Sequence, residues 1–314
     1  MSLASSSERV VQRDAQPLEH EGVLMELLMD VAHKCSVLEL VCLLRRRYFR
    51  RAPLQRFDDT HPCIFVLSTG RVGTQTLAAL LGLSPNVFAY HEPSPTLYPL
   101  SRFAYELGDD MRVRGVFREA FIAARNERFD CCLKFKKGYV ETSPQATFLA
   151  PAILEAIPDV KFIHVVRGPG YVVRSAMRRK WYAGNPADRT RIAPRPESEW
   201  GKTWNKWDAF EKNTWLWAET NRWIREFWSY LAIERRLLLD AEKIFDGNNE
   251  QLDRLFSFVG SSRPSKRKIV RILDKRLNRQ TTGSFPKPCD WPESMRLTLR
   301  TIAGKEMDAF GYEL

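Results

Sequence analysis

Apolar and polar positions along the chain fall into a few clear patterns. "CIFVL" (Cys63 to Leu67) and the run from Lys161 to Val166 are unbroken and rich in β-branched residues, as expected of parallel strands buried on both faces. "NVFAYHEPSP" (Asn86 to Pro95) reads as the end of a second strand, and "RRLLLDAEKIF" (Arg235 to Phe245) as a further buried strand running into a helix. Behind the first run, Thr76 to Leu83 puts Leu77, Leu80 and Leu81 on one helical face. Behind the Lys161 run, a turn leads into another helix. Trp217, Asn221, Ile224 and Trp228 recur at helical spacing, so Asn213 to Trp228 is a mostly core helix. "GKEMDAFGYEL" closes the chain as a short helix and tail. Strands that alternate with helices predict an α/β fold, a central parallel sheet flanked by helices.

The N-terminal part is different. Residues 1–58 form a polar tail and one amphipathic helix, with Leu24, Leu27, Leu28, Val31, Cys35, Leu38 and Cys42 three or four apart. That helix ends in "RRRYFRR", which could lie on an anionic membrane. A helix packed on the domain with a solvated basic tip is the simpler reading. No Gly/Ser/Pro-rich linker divides the rest of the chain, so residues 59–314 are expected to form one domain.

Charge widens the possible partners. A net charge of +11 with a pI near 9.5 suits a polyanionic ligand, an anionic membrane or nucleic acid without choosing among them. The six cysteines lack CxxC pairing and metal-type spacing to histidine, so buried thiols in a reducing compartment are expected. With neither a signal-peptide pattern nor a run of 18 apolar residues, the expectation is a cytoplasmic protein, peripheral at the membrane if residues 22–51 contact it.

Candidate chemistry starts at "STGRVGTQT", Ser68 to Thr76, between the first strand and its helix. Gly70 and Gly73 allow successive N–H groups to point into one concavity, backed by the helix dipole. Ser68, Thr69, Thr74, Gln75 and Thr76 surround that concavity with Val72, and Arg71 adds a positive charge. In the P-loop of nucleotide hydrolases, GxxxxGK[ST] counted from Gly70 would place its second glycine at Gln75 and its lysine at Thr76. Both are missing, so the loop suits a phosphate-bearing group whose transfer needs no metal.

"VVRGPGYVVRS" repeats the outline: Arg167 ends a strand, and Ser175 lies two turns into the following helix. Arginine and serine at the C-terminal end of a parallel sheet suit a second phosphate. Together the two turns call for a ligand phosphorylated at two places.

With both motifs in this order, residues from about Cys63 to Leu314 resemble the sulfotransferases that use 3′-phosphoadenosine 5′-phosphosulfate (PAPS). Their 5′-phosphosulfate loop is similar to "STGRVGTQTL", and their R-D-P-x-x-x-x-x-S motif to Arg167–Ser175, with Pro169 kept. The resemblance implies a single P-loop-like domain, PAPS as cosubstrate, 3′-phosphoadenosine 5′-phosphate (PAP) as product, and no metal. It also implies that "KRLNRQTTGSFP", with Arg276, Asn278, Arg279 and Gly283, closes over the 3′-phosphate and adenosine. Three departures stand out. Gly168 replaces the usual aspartate, Gly170 a frequent arginine, and Thr142 the lysine of an E-K-[ST]-P motif. Lys134, Lys136 or Lys137 could replace that lysine, or Arg71 could act alone.

Sulfuryl transfer to a hydroxyl or amine needs a group that takes the acceptor's proton. His91 and Glu92 are adjacent, so on an extended backbone only one would face the site. His91 is the better base by ordinary titration range. Carbohydrate-type members of the family carry a glutamate after this strand, and Glu92 falls there. Glu92 is therefore the first choice and His91 the second, with Glu141 a further candidate. Mid-strand His164 reads as a satisfied core histidine.

Eight of the nine tryptophans lie between Trp181 and Trp228. The Pro-, Arg- and Trp-rich stretch from Tyr182 to Trp207 reads as a long loop over the site. It is either the pocket for a saccharide, glycolipid or small natural-product acceptor, or a loop anchored by its own aromatics. Two alternatives remain: an ATP-dependent phosphoryl transferase of the same fold, which lacks an evident Mg²⁺ ligand, and a basic nucleic-acid-binding protein. Scattered Arg and Lys argue against the second, and no nucleic-acid partner is expected.

Overall fold

The computed structural model of the protein describes residues 57–275, 277 and 283–313. The predicted amphipathic helix and its membrane contact, and Arg276, Asn278 and Arg279, lie outside the described residues. In chain order, β1 (Cys63–Leu67) is followed by α1 (Thr74–Leu81), β2 (Val87–Tyr90), α2 (Tyr98–Leu107), α3 (Met111–Lys134) and β3 (Gly138–Glu141). Then come α4 (Ala150–Ala156), β4 (Lys161–Val166), α5 (Pro169–Arg178), α6 (Glu199–Thr203) and α7 (Ala209–Trp228). The chain continues with β5 (Arg236–Asp240), α8 (Ala241–Phe245), α9 (Asn249–Phe258), α10 (Lys266–Leu273) and α11 (Glu293–Phe310).

The five strands pair in the order β2-β3-β1-β4-β5, all parallel. Every residue of β1 is buried, which accounts for its unbroken apolar run. The chain builds the sheet first on one side of β1 and then crosses to the other for β4. The crevice beyond the C-terminal ends of β1 and β4 is therefore the reversal point at which open parallel sheets bind ligands. Both predicted phosphate turns start there.

The predicted α/β class and the strands at Cys63, Lys161 and Arg236 are observed. Helix α1 starts at Thr74, two residues before the expectation, because Gly73 holds a left-handed N-cap (φ 86°). Helix α3 carries no expectation: Phe117, Phe121, Ala124, Arg125, Phe129 and Cys132 are its buried positions, spaced among many charges. The C-terminal helix is longer than the short one expected, running back to Glu293. It packs along α7, whose start is fixed by the reciprocal Asp208–Glu211 capping box. Cys63 and Cys132 are buried, Cys131 is half-buried and Cys289 exposed, all as free thiols. Cys35 and Cys42 lie outside the described residues. Among the described residues, no helix is long and apolar enough to cross a membrane.

Candidate active site

The loop after β1 departs from ordinary backbone at three of four positions: Gly70, Arg71 and Gly73 have φ of 75°, 60° and 86°. Gly73 could not be replaced, since a Cβ there would stand 2.1 Å from the Phe245 ring. The loop's base is fixed by Thr147. Its hydroxyl accepts from the Ser68 N–H at 3.0 Å and donates to the Ser68 carbonyl at 3.1 Å. No side chain caps the N-terminus of α1, so its first-turn N–H groups are the donors an anion would meet.

The two turns meet. Arg71 Nε donates to Ser175 Oγ at 3.1 Å, and Arg167 Nη1 donates to the Arg71 carbonyl at 3.2 Å. Burial, reinforced by the Arg179 guanidinium, lowers Arg71 to a pKa of about 10, with Glu92 opposing the shift. Arginines gathered in a half-buried crevice form a site where an anion would relieve their mutual repulsion.

A cavity of about 250 Å³ opens beside this junction. Ser68, Thr69, Gly70, Arg71 and Thr74 line it on one side, with His91, Glu92 and Tyr98 across from them. Val72, Gly73, Gln75 and Thr76 do not line it; Val72 is buried in the core instead. A larger cavity of about 430 Å³ shares the Phe148 wall and runs between Tyr105, Trp200 and Trp223. It contains no residue of either turn. The smaller cavity is lined by the first turn, while Arg167 and Ser175 reach it only through Arg71, and it is the candidate active site.

The expectation that only one of His91 and Glu92 faces the site is corrected: both line the cavity. Strand alternation ends at Tyr90, and Glu92 takes a left-handed backbone (φ 45°) that turns its side chain to the same side. Glu92 Oε1 accepts from the Tyr98 hydroxyl at 2.9 Å, and His91 Nε2 lies 4.0 Å away. Burial, then Glu92 itself, pushes the Tyr98 hydroxyl's pKa up, so it stays a donor. His91 Nδ1 sits 3.1 Å from the Thr142 carbonyl. A carbonyl only accepts, so Nδ1 is the donor in this contact and Nε2 is the nitrogen that faces Glu92.

Glu141 is not at the site. Its carboxylate is 1% exposed and is gripped by Arg125 at 2.7 and 3.0 Å and by the Tyr139 hydroxyl at 2.6 Å. The lysine substitutes are also misplaced. Lys134, Lys136 and Lys137 precede β3, at its N-terminal end, and Lys137 Nζ donates to the Pro85 carbonyl. Arg71 and Arg167 both stand at the C-terminal end of the sheet. His164 is buried, bonds Asn221 Oδ1 through Nε2 at 2.9 Å and is lowered by burial to a pKa of about 4, as a core histidine. Gly283 (φ 75°) packs on α5, its carbonyl accepting from Arg178 Nε at 2.9 Å. That places it on the helix that carries Ser175.

The tryptophan-rich stretch divides. Ala187, Thr190, Arg191 and Ile192 line the cavity, as does Trp181, with the Arg191 guanidinium 3.7 Å above its ring. Trp200, Trp204 and Trp207 pack on one another, and Trp204 on Trp215 of α7, anchoring the loop. Tyr98, Arg125 and Arg191 went unnoticed in the sequence. Arg191 lay within a segment read as Pro-, Arg- and Trp-rich without any arginine singled out; the other two carried no signal beyond ordinary helical residues.

The parallel sheet, the left-handed loop at its reversal point and the paired turns define an α/β protein with an arginine-lined crevice at the C-terminal end of its strands. The profile described as "Sulfotransferase family" matches residues 62–225, just over half of the chain, and the chain belongs to that family. The chain is similar in structure to the sulfotransferase domain from the curacin biosynthetic pathway, with 18% identity, a TM-score of 0.48, and coverage of 81% of this chain and 99% of that one. It is also similar to a sulfotransferase from Alicyclobacillus acidocaldarius, with 14% identity, a TM-score of 0.47 and coverage of 81% and 97%. A third similarity is to a sulfotransferase from Mycobacterium avium, with 12% identity, a TM-score of 0.49 and coverage of 95% and 87%. No curated protein matches the chain. Family membership replaces the phosphoryl-transfer alternative.

Proposed function

We propose that this sulfotransferase uses PAPS as donor and sulfates a hydroxyl or amine on a saccharide, glycolipid or small natural product, releasing PAP. The observation that carries this reading is the junction of the two turns: Arg71 bonds Ser175 at 3.1 Å while Arg167 bonds the Arg71 carbonyl at 3.2 Å. Two anion-holding turns joined in this way suit one ligand with two separate phosphates.

In this reading Ser68 to Arg71, Thr74 and the start of α1 hold the 5′-phosphosulfate, and Arg167 with Ser175 holds the 3′-phosphate. The donor supplies the sulfuryl group. Its bond to the 5′-phosphate oxygen breaks as the acceptor atom bonds sulfur, and the leaving phosphate keeps the electron pair. Arg71 stabilises that developing charge in a crevice where burial strengthens electrostatics. Glu92 takes the acceptor's proton, with Tyr98 fixing its carboxylate and His91 beside it. The acceptor lies against Trp181, Phe148 and Ile192.

Titration calorimetry with PAP, adenosine 5′-phosphate and ATP without Mg²⁺ tests the donor site. Tight binding of PAP alone is expected. Equal affinity for PAP and adenosine 5′-phosphate would remove the second phosphate site and, with it, PAPS as donor.

A further inference from the structure

Arg167 has neighbours beyond the residues assigned to the phosphates, although its buried Nε has no hydrogen-bond partner. Its Nε lies 3.5 Å from Glu242 Oε1, its guanidinium is 5.3 Å from the Tyr171 ring centre, and its carbonyl accepts from Trp217 Nε1 at 2.9 Å. Glu242 belongs to the first turn of α8, 74 residues after Gly168. Its two carboxylate oxygens accept from the Gly168 N–H at 3.2 and 3.4 Å, and the Tyr312 hydroxyl donates to Oε2 at 3.4 Å.

Gly168 is the N-cap of α5, the helix that carries Ser175, and no side chain caps that helix. Its φ of −49° needs no glycine. A Cβ there would meet only ordinary contacts, one of them Glu242 Oε1 at 3.6 Å. The carboxylate from α8 therefore occupies the space that a short acidic side chain at position 168 would reach. The absent side chain and the incoming carboxylate are two halves of one arrangement.

We propose that Glu242 is a positioning residue for the nucleotide. It supplies from α8 the carboxylate that the Arg167–Ser175 turn lacks, orienting the Arg167 guanidinium toward Arg71 and Ser175 for the 3′-phosphate. This inference rests on the reading of PAP as product. It goes beyond that reading in assigning a role to a residue outside both turns, and to the glycine that makes room for it. Removing Glu242 leaves Arg167 with its charge but without its fixed direction. The loss should therefore fall on the 3′-phosphate and spare the 5′-phosphate.

The test is the preference for PAP over adenosine 5′-phosphate, measured by calorimetry in variants whose melting temperatures are recorded alongside. Glu242→Ala is expected to lower that preference about tenfold, the low end of what a contact between charged groups is worth, with affinity for adenosine 5′-phosphate kept. Adding Gly168→Asp to Glu242→Ala is expected to restore the preference, because the carboxylate returns from the other side of the same space. If Glu242→Ala does not fold, Glu242→Gln takes its place. It keeps an accepting oxygen for the Gly168 N–H but loses the charge on Arg167, and about a threefold loss is expected. A preference that is unchanged or raised without the Glu242 carboxylate overturns the inference, since the carboxylate would then be idle or a competitor of the phosphate. So does failure of Gly168→Asp to restore it. Equal binding of both nucleotides by the unaltered protein overturns the donor reading itself, and this inference with it.

Discussion

Two glutamates stand at the ends of neighbouring strands in opposite surroundings. β2 and β3 run side by side, with Tyr90 opposite Glu141. Glu141 is the last residue of its strand and keeps strand geometry, so its side chain goes into the protein, where Arg125 and Tyr139 enclose it at 1% exposure. Glu92 lies two residues past its strand with a left-handed backbone, and its carboxylate lines the cavity at 33% exposure with one tyrosine hydroxyl on it. A carboxylate surrounded by donors is a structural anion. One held by a single donor beside open space, on a strained backbone, is available for proton transfer. Arg125 joins the two, because Nη1 also donates at 2.9 Å to the carbonyl of Pro95, three residues after Glu92.

The sharpest division between them is kinetic. Glu92→Gln is expected to lower kcat by about 10²–10⁴-fold, the usual contribution of a positioned general base, with PAP affinity and melting temperature unchanged. Turnover kept within tenfold would move proton transfer to His91. For Glu141→Gln the loss appears in folding. The variant leaves the Arg125 guanidinium buried without its counter-charge, which costs about 3–5 kcal/mol. Denaturant unfolding should show it, and a stability within about 1 kcal/mol of the parent would mean that the pair is not what holds β3 to α3.

A buried titratable group on β4 extends the contrast between structural and available side chains. His164 lies opposite Leu67 of β1, and burial holds it neutral with a pKa of about 4. The unfolded chain takes up its proton near pH 6.5. The folded state cannot do so until much lower pH. Its contribution is therefore present above about pH 6.5 and is lost as the pH falls toward 4, on the order of 3 kcal/mol in all. Unfolding free energies at pH 7 and pH 4.5 should fall more steeply with acid in the parent than in His164→Gln. Parallel curves would show that His164 is not buried neutral.

The sequence made the buried strands and the first loop legible, because continuous β-branched runs and paired glycines act locally. Family motifs picked out Arg167 and Ser175, and both contact Arg71 of the first loop. Legibility stopped where one residue's geometry depends on distant chain. Periodicity put His91 and Glu92 on opposite sides, and only the left-handed backbone at Glu92 puts them together. "ETSP" suggested a catalytic Glu141 because nothing in it points to Arg125, which sits on a helix whose apolar positions are diluted by charge. Glu242 reaches Gly168 across 74 residues. Gly168 stood in the sequence only as a missing aspartate, since the carboxylate that accepts from its N–H arrives from another element.

The smallest expected effect tests the contrast most directly, because both glutamates accept from a tyrosine. The Tyr98 hydroxyl donates to Glu92 at 2.9 Å and the Tyr139 hydroxyl to Glu141 at 2.6 Å. The Tyr98 hydroxyl fixes the direction of the Glu92 carboxylate, so Tyr98→Phe should lower kcat about tenfold with the melting temperature kept, the low end of what one hydrogen bond to a charged group is worth. Tyr139→Phe removes the corresponding bond from a carboxylate still held by Arg125 and away from the cavity, so kcat should stay in place while stability drops. A kcat that falls in Tyr139→Phe and stays fixed in Tyr98→Phe would reverse the assignment, making Glu141 the working carboxylate and Glu92 the structural one.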